Sequence, residues 1–153
     1  MRDITQLHAV EHPLIRKLSP KHVEYLAAGA TEKSYPAGNY LFRVDEAADH
    51  LFLICSGKVA LEMSVPGRNA LGIQTIGAGG LVGWSWLFPP HKWHFDARVV
   101  EPVKAVCIDA RYLREKCEEN HELGYELLKE FSLVMFERLI ATRFQLINVY
   151  DLY

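Results

Sequence analysis

Between Thr31 and Asp109 the chain is a succession of short β-prone runs (YLFRV, LFLIC, KVALEMSV, LGIQTI, FDARVV and VKAVCI), with turn formers about every ten residues. The separators are Pro36-Ala37-Gly38, Ser56-Gly57, Pro66-Gly67-Arg68-Asn69, Gly77-Ala78-Gly79-Gly80 and Pro89-Pro90. Strands this short cannot each bury a face alone, so they must close on one another as a roll, barrel or sandwich. Ahead of them Ser19-Pro20 reads as an N-cap followed by proline at the first helical position. Val23, Leu26, Ala27 and Ala30 then recur at helical spacing until Gly29 weakens the pattern. Beyond Asp109 glycine and proline nearly vanish, and residues 110–150 are strong helix formers interrupted only near Asn120 and Gly124.

The expectation is a mainly β fold with flanking helices. Residues 1–153 form a single domain, with a β-roll of jelly-roll or double-stranded β-helix type over about 31–109 and helices over about 110–150. A chain of 153 residues is long enough to bury a core without staples. The formal net charge of -2, with no run of Lys and Arg, disfavours a nucleic-acid footprint. Cys55, Cys107 and Cys117 are odd in number and show no C-x-x-C spacing. They fit a reducing cytoplasm better than a disulfide framework or a zinc site, and Cys55 and Cys107, in apolar strands, read as buried small hydrophobes. The opening MRDITQLHAVEHPL carries charges where a signal peptide needs an apolar stretch, and no run reaches the about 18 apolar residues of a membrane span. A cytoplasmic protein is expected.

Two regions carry candidate function. In the last segment Leu128, Phe131, Met135, Leu139, Thr142, Leu146 and Val149 fall close to a 3.5-residue repeat. Residues from Phe131 to Phe136 are apolar over more than one stripe, which points to a homodimer seam, the alternative being a helix packed back on its own roll. The other region is LVGWSWLFPPHKWHFDARVV, residues 81–100, where Trp84, Trp86 and Trp93 surround a Pro-Pro turn beside His91, Lys92 and His94. Three large aromatics in one loop either line a pocket that stacks a planar or apolar ligand or fill that pocket. Asp96 is read as solvated, in preference to orienting His94.

YPAGNYLFRVDEAADHLFLICSGKVALE, IGAGGLVG and ARVVEPVKAVCIDARYL, in this order and spacing, resemble the cyclic-nucleotide-binding domain superfamily, in particular the Crp/Fnr-like effector domains. Gly38, Ser56, Gly57 and Val59 match its opening run, and Gly79 and Gly83 the glycines leading into its phosphate-binding cassette. The resemblance implies a glutamate after the second glycine for the ribose hydroxyl and an arginine later in the loop for the cyclic phosphate. Trp84 and Trp93 stand in those two places, and His94 replaces the small or hydroxyl residue beside the arginine. Arg98 matches a basic residue common on the following strand and lies too far along to take the phosphate role.

Losing a charged contact in a partly buried pocket costs about 2 to 4 kcal/mol, so tight binding of cAMP or cGMP is not expected. What the resemblance implies is a non-enzymatic sensor or regulatory domain without a cofactor. Its aromatic or anionic ligand would be held by Gly83, Trp84, Ser85, Trp86, Lys92, Trp93 and His94, and it would dimerise through Leu128, Phe131, Met135, Leu139, Thr142 and Leu146. Transcription-factor relatives carry a helix-turn-helix domain after this helix; the chain stops at Tyr153, so direct DNA readout is not expected. Two rivals are a ligand-free dimeric interaction domain and a cupin-like metal-dependent enzyme using His50, His91 and His94. The latter needs a His-x-His pair that the sequence lacks.

Overall fold

The computed structural model describes residues 12–151; the stretch before His12, most of the segment read for a signal peptide, lies outside the described residues. Two short helices, α1 (Pro13–Lys17) and α2 (Pro20–Ala28), lead into strands β1 (Ala30–Tyr35), β2 (Tyr40–Phe42), β3 (His50–Met63), β4 (Leu71–Ile76), β5 (Leu81–Val82) and β6 (Asp96–Asp109). Helices α3 (Ala110–Glu119) and α4 (His121–Asp151) follow. The strands form one antiparallel sheet in the order β1-β6-β3-β4, with β2 added to β6 and β5 to β3. The expected β-roll between a short N-terminal helix and a long C-terminal helix is therefore the architecture observed.

The spine of the roll is the β3–β6 pair, each strand 14 residues long and matched from His50↔Asp109 to Glu62↔Asp96. This corrects one expectation. LFLIC and KVALEM are a single strand, as are FDARVV and VKAVCI, and Ser56-Gly57 makes no turn between separate strands. Gly57 adopts φ 90 and faces the Pro102 carbonyl so closely that a Cβ there would collide with it. Opposite it Pro102 has no N–H to give the ladder, and the register shifts on both sides of Lys58. Glycine and proline thus act as a bulge that bends two paired strands together, letting one strand pair serve both halves of the roll.

Leu51, Leu53, Ile54, Val59, Val99, Val106 and Ile108 of that pair are buried. Val23 and Leu26 of α2, Leu113 of α3, and Leu123, Leu127 and Phe131 of α4 close the core from the helical side. Burial of each such side chain contributes about 1.5 to 3 kcal/mol. Ser19 is the N-cap of α2 but makes no side-chain cap bond; its N–H and hydroxyl reach Glu126 of α4 at 2.8 and 3.2 Å.

Asn120 ends α3, and its Oδ1 accepts from the Leu123 N–H at 3.1 Å to open α4. Gly124, expected to weaken the helix, does not interrupt it. An added Cβ there would meet the Cys117 carbonyl at 3.3 Å and the Cys117 Cβ at 3.4 Å, so the glycine allows a close approach of α3 and α4. No described helix is long and apolar enough to cross a membrane.

Candidate functional site

The tryptophan loop leaves the sheet at β5, whose two residues pair with Phe52 and Leu53, and passes through Gly83 at φ 101 into a single 3-10 turn, Ser85–Leu87. A cis peptide joins Pro89 to Pro90, and the chain returns through His91 at φ 57. The returning arm is laced to the 43–48 turn. Trp93 N–H donates to the Glu46 carbonyl at 3.0 Å, Asp45 N–H to the Trp93 carbonyl at 2.9 Å, and Ala48 N–H to the His91 carbonyl at 2.8 Å. Asp96 stiffens the same turn, accepting at Oδ1 from Val44 N–H at 2.8 Å and Arg43 Nε at 3.3 Å. It is buried and does not touch His94, which corrects its reading as solvated: a carboxylate next to two free donors is more use as a turn cap than as a surface charge.

The tryptophans divide into two kinds. Trp93 is 2% exposed and stacks on Phe42 with ring centroids 3.7 Å apart and planes 10° apart. Its six-membered ring lies directly on the Cα side of Gly83, where no side chain would fit. Trp86 is fully buried, gives its indole N–H to the Gly83 carbonyl at 2.9 Å and meets Phe131 of α4 edge-on at 5.8 Å. These two rings fill space. Trp84 is only half-buried, and over its face at 4.6 Å lies the guanidinium of Arg138 from α4. Arg138 also donates to the Leu81 carbonyl at the loop's entry.

Of the other sequence-derived site residues, Ser85 is buried with its hydroxyl 3.4 Å from His94 Nδ1, while His94 and Lys92 are exposed. Gly83, Trp84, Ser85, Trp93 and His94 are thus brought to one end of the roll, and Lys92 points away from the buried rings. Arg98 forks onto Glu62, with Nε to Oε1 at 3.0 Å and Nη2 to Oε2 at 2.9 Å, and is occupied by that pair. No group of three or more His, Cys, Asp or Glu among the described residues is arranged to hold a metal ion.

On α4, Leu128, Leu139 and Leu146 are 50%, 49% and 55% exposed, Thr142 is exposed and Met135 is half-buried. Phe131 differs from the rest of that seam: it is in the chain's own core against Trp86, which removes it from an outward-facing interface.

Three hollows flank the loop. One of about 400 Å³ opens over Phe42, Phe52 and Trp93 with Glu46, Asp49 and His50 at its edge. An apolar one of about 230 Å³ lies between Trp86, Cys117, Gly124, Leu127 and Phe131. The third, about 370 Å³, is a cleft between α1, the segment Gly79–Leu81 and α4, and Arg138 is in its wall. His12 closes one end of it: its Nδ1 accepts from Leu14 N–H at 3.1 Å and its Nε2 donates to the Gly80 carbonyl at 2.9 Å. Burial holds this imidazole below its ordinary value, so it is neutral, with its proton on Nε2.

Sequence reasoning missed Arg138 and Phe42. A signal for Arg138 was present, because it follows Phe131 by seven residues and so falls on the inward stripe of α4, where a lone cation needs a reason. Phe42 carries no comparable signal; only the fold brings it under Trp93.

The comparisons with known proteins agree with this geometry. A model of the cyclic nucleotide-binding domain matches residues 32–120, from β1 through α3 to its C-cap. A CRP-like cAMP-activated global transcriptional regulator of Mycobacterium tuberculosis is 26% identical over 117 residues, which are 76% of this chain and 52% of that protein. The chain therefore spans about half the length of the curated relatives it matches. A cyclic nucleotide-binding domain from Methylobacillus flagellatus superposes with a TM-score of 0.82 at 16% identity, covering 96% of this chain and 85% of that one. The c-di-GMP responsive global regulator CLP of Xanthomonas campestris superposes with a TM-score of 0.76 at 18% identity, over 88% of this chain and 66% of that one. With a family match over more than half its length and the same helix-flanked roll, this chain belongs to the cyclic nucleotide-binding domain family.

Proposed function

We propose that the chain is a non-enzymatic regulatory domain of the Crp/Fnr-like type. Its loop would respond to a small aromatic or anionic ligand and would not hold cAMP or cGMP tightly, and two copies would pair through the distal part of α4. The observation that carries this reading is the fate of the two positions where the family's polar contacts are expected. Trp84 stands at the ribose position, and Trp93 at the phosphate position is stacked shut on Phe42 and Gly83. A cyclic phosphate there would lose a bidentate guanidinium and have to displace a buried ring as well, and both effects act against binding.

Regulation by ligand, as in relatives whose names record response to cAMP or c-di-GMP, would act through α4, which touches the loop at Phe131–Trp86 and Arg138–Trp84. A net charge of -2 without a basic stripe gives this domain no footprint for DNA, and a cytoplasmic setting suits its free cysteines.

Thermal unfolding with and without millimolar cAMP, cGMP and a panel of aromatic and acidic metabolites tests the proposal. Ligand at about 100 times its Kd stabilises the fold by about 2.7 kcal/mol, which a melt resolves. The expected outcome is no shift with either cyclic nucleotide and a shift with a compound of another class. A clear shift with cyclic nucleotide would overturn the reading of Trp84 and Trp93. A second reading, a ligand-free dimeric interaction domain, is favoured by the complete burial of Trp86 and Trp93; it predicts that nothing in the panel shifts the melt.

A further inference from the structure

Most of the partnered charges of this domain are matched. Arg98 is forked to Glu62, Arg43 meets Asp96, and Lys17, Lys21 and His22 face Glu130, Glu122 and Glu126 along one side of α4. Two arginines, Arg114 and Arg138, donate instead to backbone carbonyls, Arg114 to that of Trp86 at 2.9 Å, and of the two it is Arg138 that borders the cleft. It stands on the inward stripe of α4, lies over the Trp84 ring and donates to one backbone carbonyl, that of Leu81. No described carboxylate lies within 4.0 Å of it. Burial draws its guanidinium down to about 10, and the one acid that works against this is its exposed sequence neighbour Glu137.

A guanidinium offers five donors in a rigid fork. Here one carbonyl takes part of that capacity, while the side chain forms part of the wall of the 370 Å³ cleft. A desolvated cation with unused donors beside an open cleft is stabilised by whatever brings a pair of anionic oxygens to it.

We propose that this cleft between α1, Gly79–Leu81 and α4 is a binding site for a small organic oxyanion, a carboxylate or phosphoryl group, read by Arg138. The proposal rests on the reading of the domain as ligand-responsive and names the chemistry and the element that senses it. The charged group enters between Gly80 and Arg138, and the rest of the ligand lies along Leu133, Val134 and Gln74. On the rim Glu130 is held by Lys17 at 3.2 Å, which leaves Glu137 as the acid that penalises ligands with diffuse or second charges at the mouth. Arg138 marks the point beyond which α4 is exposed at every residue through Tyr150. An anion that gives its guanidinium a second anchor on the roll side therefore fixes the start of the exposed half of the helix, which is how occupancy would reach a dimer partner.

The test is a 15N–1H titration of the full chain with benzoate and with inorganic phosphate, benzamide serving as the neutral control, at constant ionic strength set with chloride. Benzoate, phosphate or both should shift Leu81, the Trp84 indole N–H and residues 134–142, saturating in the millimolar range, with benzamide silent. Arg138→Gln should abolish the shifts, and Arg138→Lys, which keeps charge without the fork, should weaken binding about tenfold. Circular dichroism confirms that each variant is folded, and Arg138→Lys alone decides if Arg138→Gln is not.

Equal shifts with benzamide, shifts undiminished in a folded Arg138 variant, or no shift with either anion overturns the site. Arg138-dependent shifts that leave the oligomer and the distal half of α4 unchanged uphold the site and remove the regulatory reading. Shifts confined to Gly83–His94 and independent of Arg138 do the reverse.

Discussion

The two halves of α4 are similarly rich in large apolar residues, but only the proximal half buries any of them. In the proximal half Leu123, Leu127 and Phe131 are at most 1% exposed, spaced by one helical turn and seated against α3, the roll and Trp86. In the distal half Leu139, Ile140, Phe144, Leu146, Ile147, Val149 and Tyr150 are between 36% and 71% exposed, on more than one side of the helix. The proximal half obeys a 3.6-residue stripe because one stiff body lies on one side of it. Beyond Arg138 α4 keeps a hydrogen bond to the roll, from Gln145 Nε2 to the Ile73 carbonyl at 3.2 Å, but no residue through Tyr150 is buried. A contiguous exposed apolar surface of this kind marks an interaction face, which is the basis for expecting a second copy there.

Four experiments bear on that contrast. The largest effect should come from Phe131→Ala, which removes a buried ring from the Trp86 contact and should cost about 3 to 5 kcal/mol in denaturant unfolding. Leu139→Ala should change protomer stability by less than about 0.5 kcal/mol. Comparable costs at the two sites would break the distinction between the halves.

Next, Leu139→Glu combined with Leu146→Glu should convert a dimer to a monomer in analytical ultracentrifugation while circular dichroism stays native, because two charges would be desolvated in a helix–helix seam. A monomeric wild type at high micromolar concentration would remove the dimer altogether.

Smaller effects concern how the N-terminal helices hold the proximal half. Burial alone would raise the Glu126 carboxyl; bonds from the Ser19 N–H, from His22 and from the Ser19 hydroxyl outweigh it and hold the group below its ordinary 4.5. A carboxyl lowered on folding stabilises above its unfolded value and loses that contribution as pH falls through the folded one. Glu126→Gln should therefore flatten the loss of stability below about pH 4.5, read from urea midpoints across pH; an unchanged acid limb would show that the contact contributes nothing.

The smallest expected change is at His12, whose folded value is depressed from 6.5 by burial, the bond to the Gly80 carbonyl opposing. Its contribution is complete above 6.5 and is lost as pH falls below it, because the unfolded chain takes up the proton first. His12→Asn, which can still accept from Leu14 N–H, should remove that slope below pH 6.5. If the slope persists, another group is responsible.

Much of the architecture was legible along the chain. Turn formers marked the roll, the change to helix formers placed its end at Asp109, and the glycines led into the tryptophan loop, because backbone preferences and periodicity are local properties. Strand continuity was not legible. Ser56-Gly57 and Glu101-Pro102 have turn composition whether they end a strand or bend one, and only their being opposite each other across a β3–β6 ladder makes them a paired kink. The candidate site divides in the same way. That Trp84 and Trp93 stand where charged contacts are expected follows from order and spacing. That Trp93 is closed on Phe42 while Trp84 faces Arg138 depends on residues 51 and 54 positions away, and no local pattern predicts it.

By itself the sequence determined the order of elements, the apolar stripe of α4 and the tryptophans at positions 84 and 93, where the resemblance places polar contacts, since each is a property of residue type and spacing. Which part of α4 is buried, which tryptophans fill the loop and that Arg138 lies over Trp84 beside a cleft were decided by tertiary structure. They depend on how the roll packs against the helices, which is set by long-range strand pairing that no short window of sequence contains.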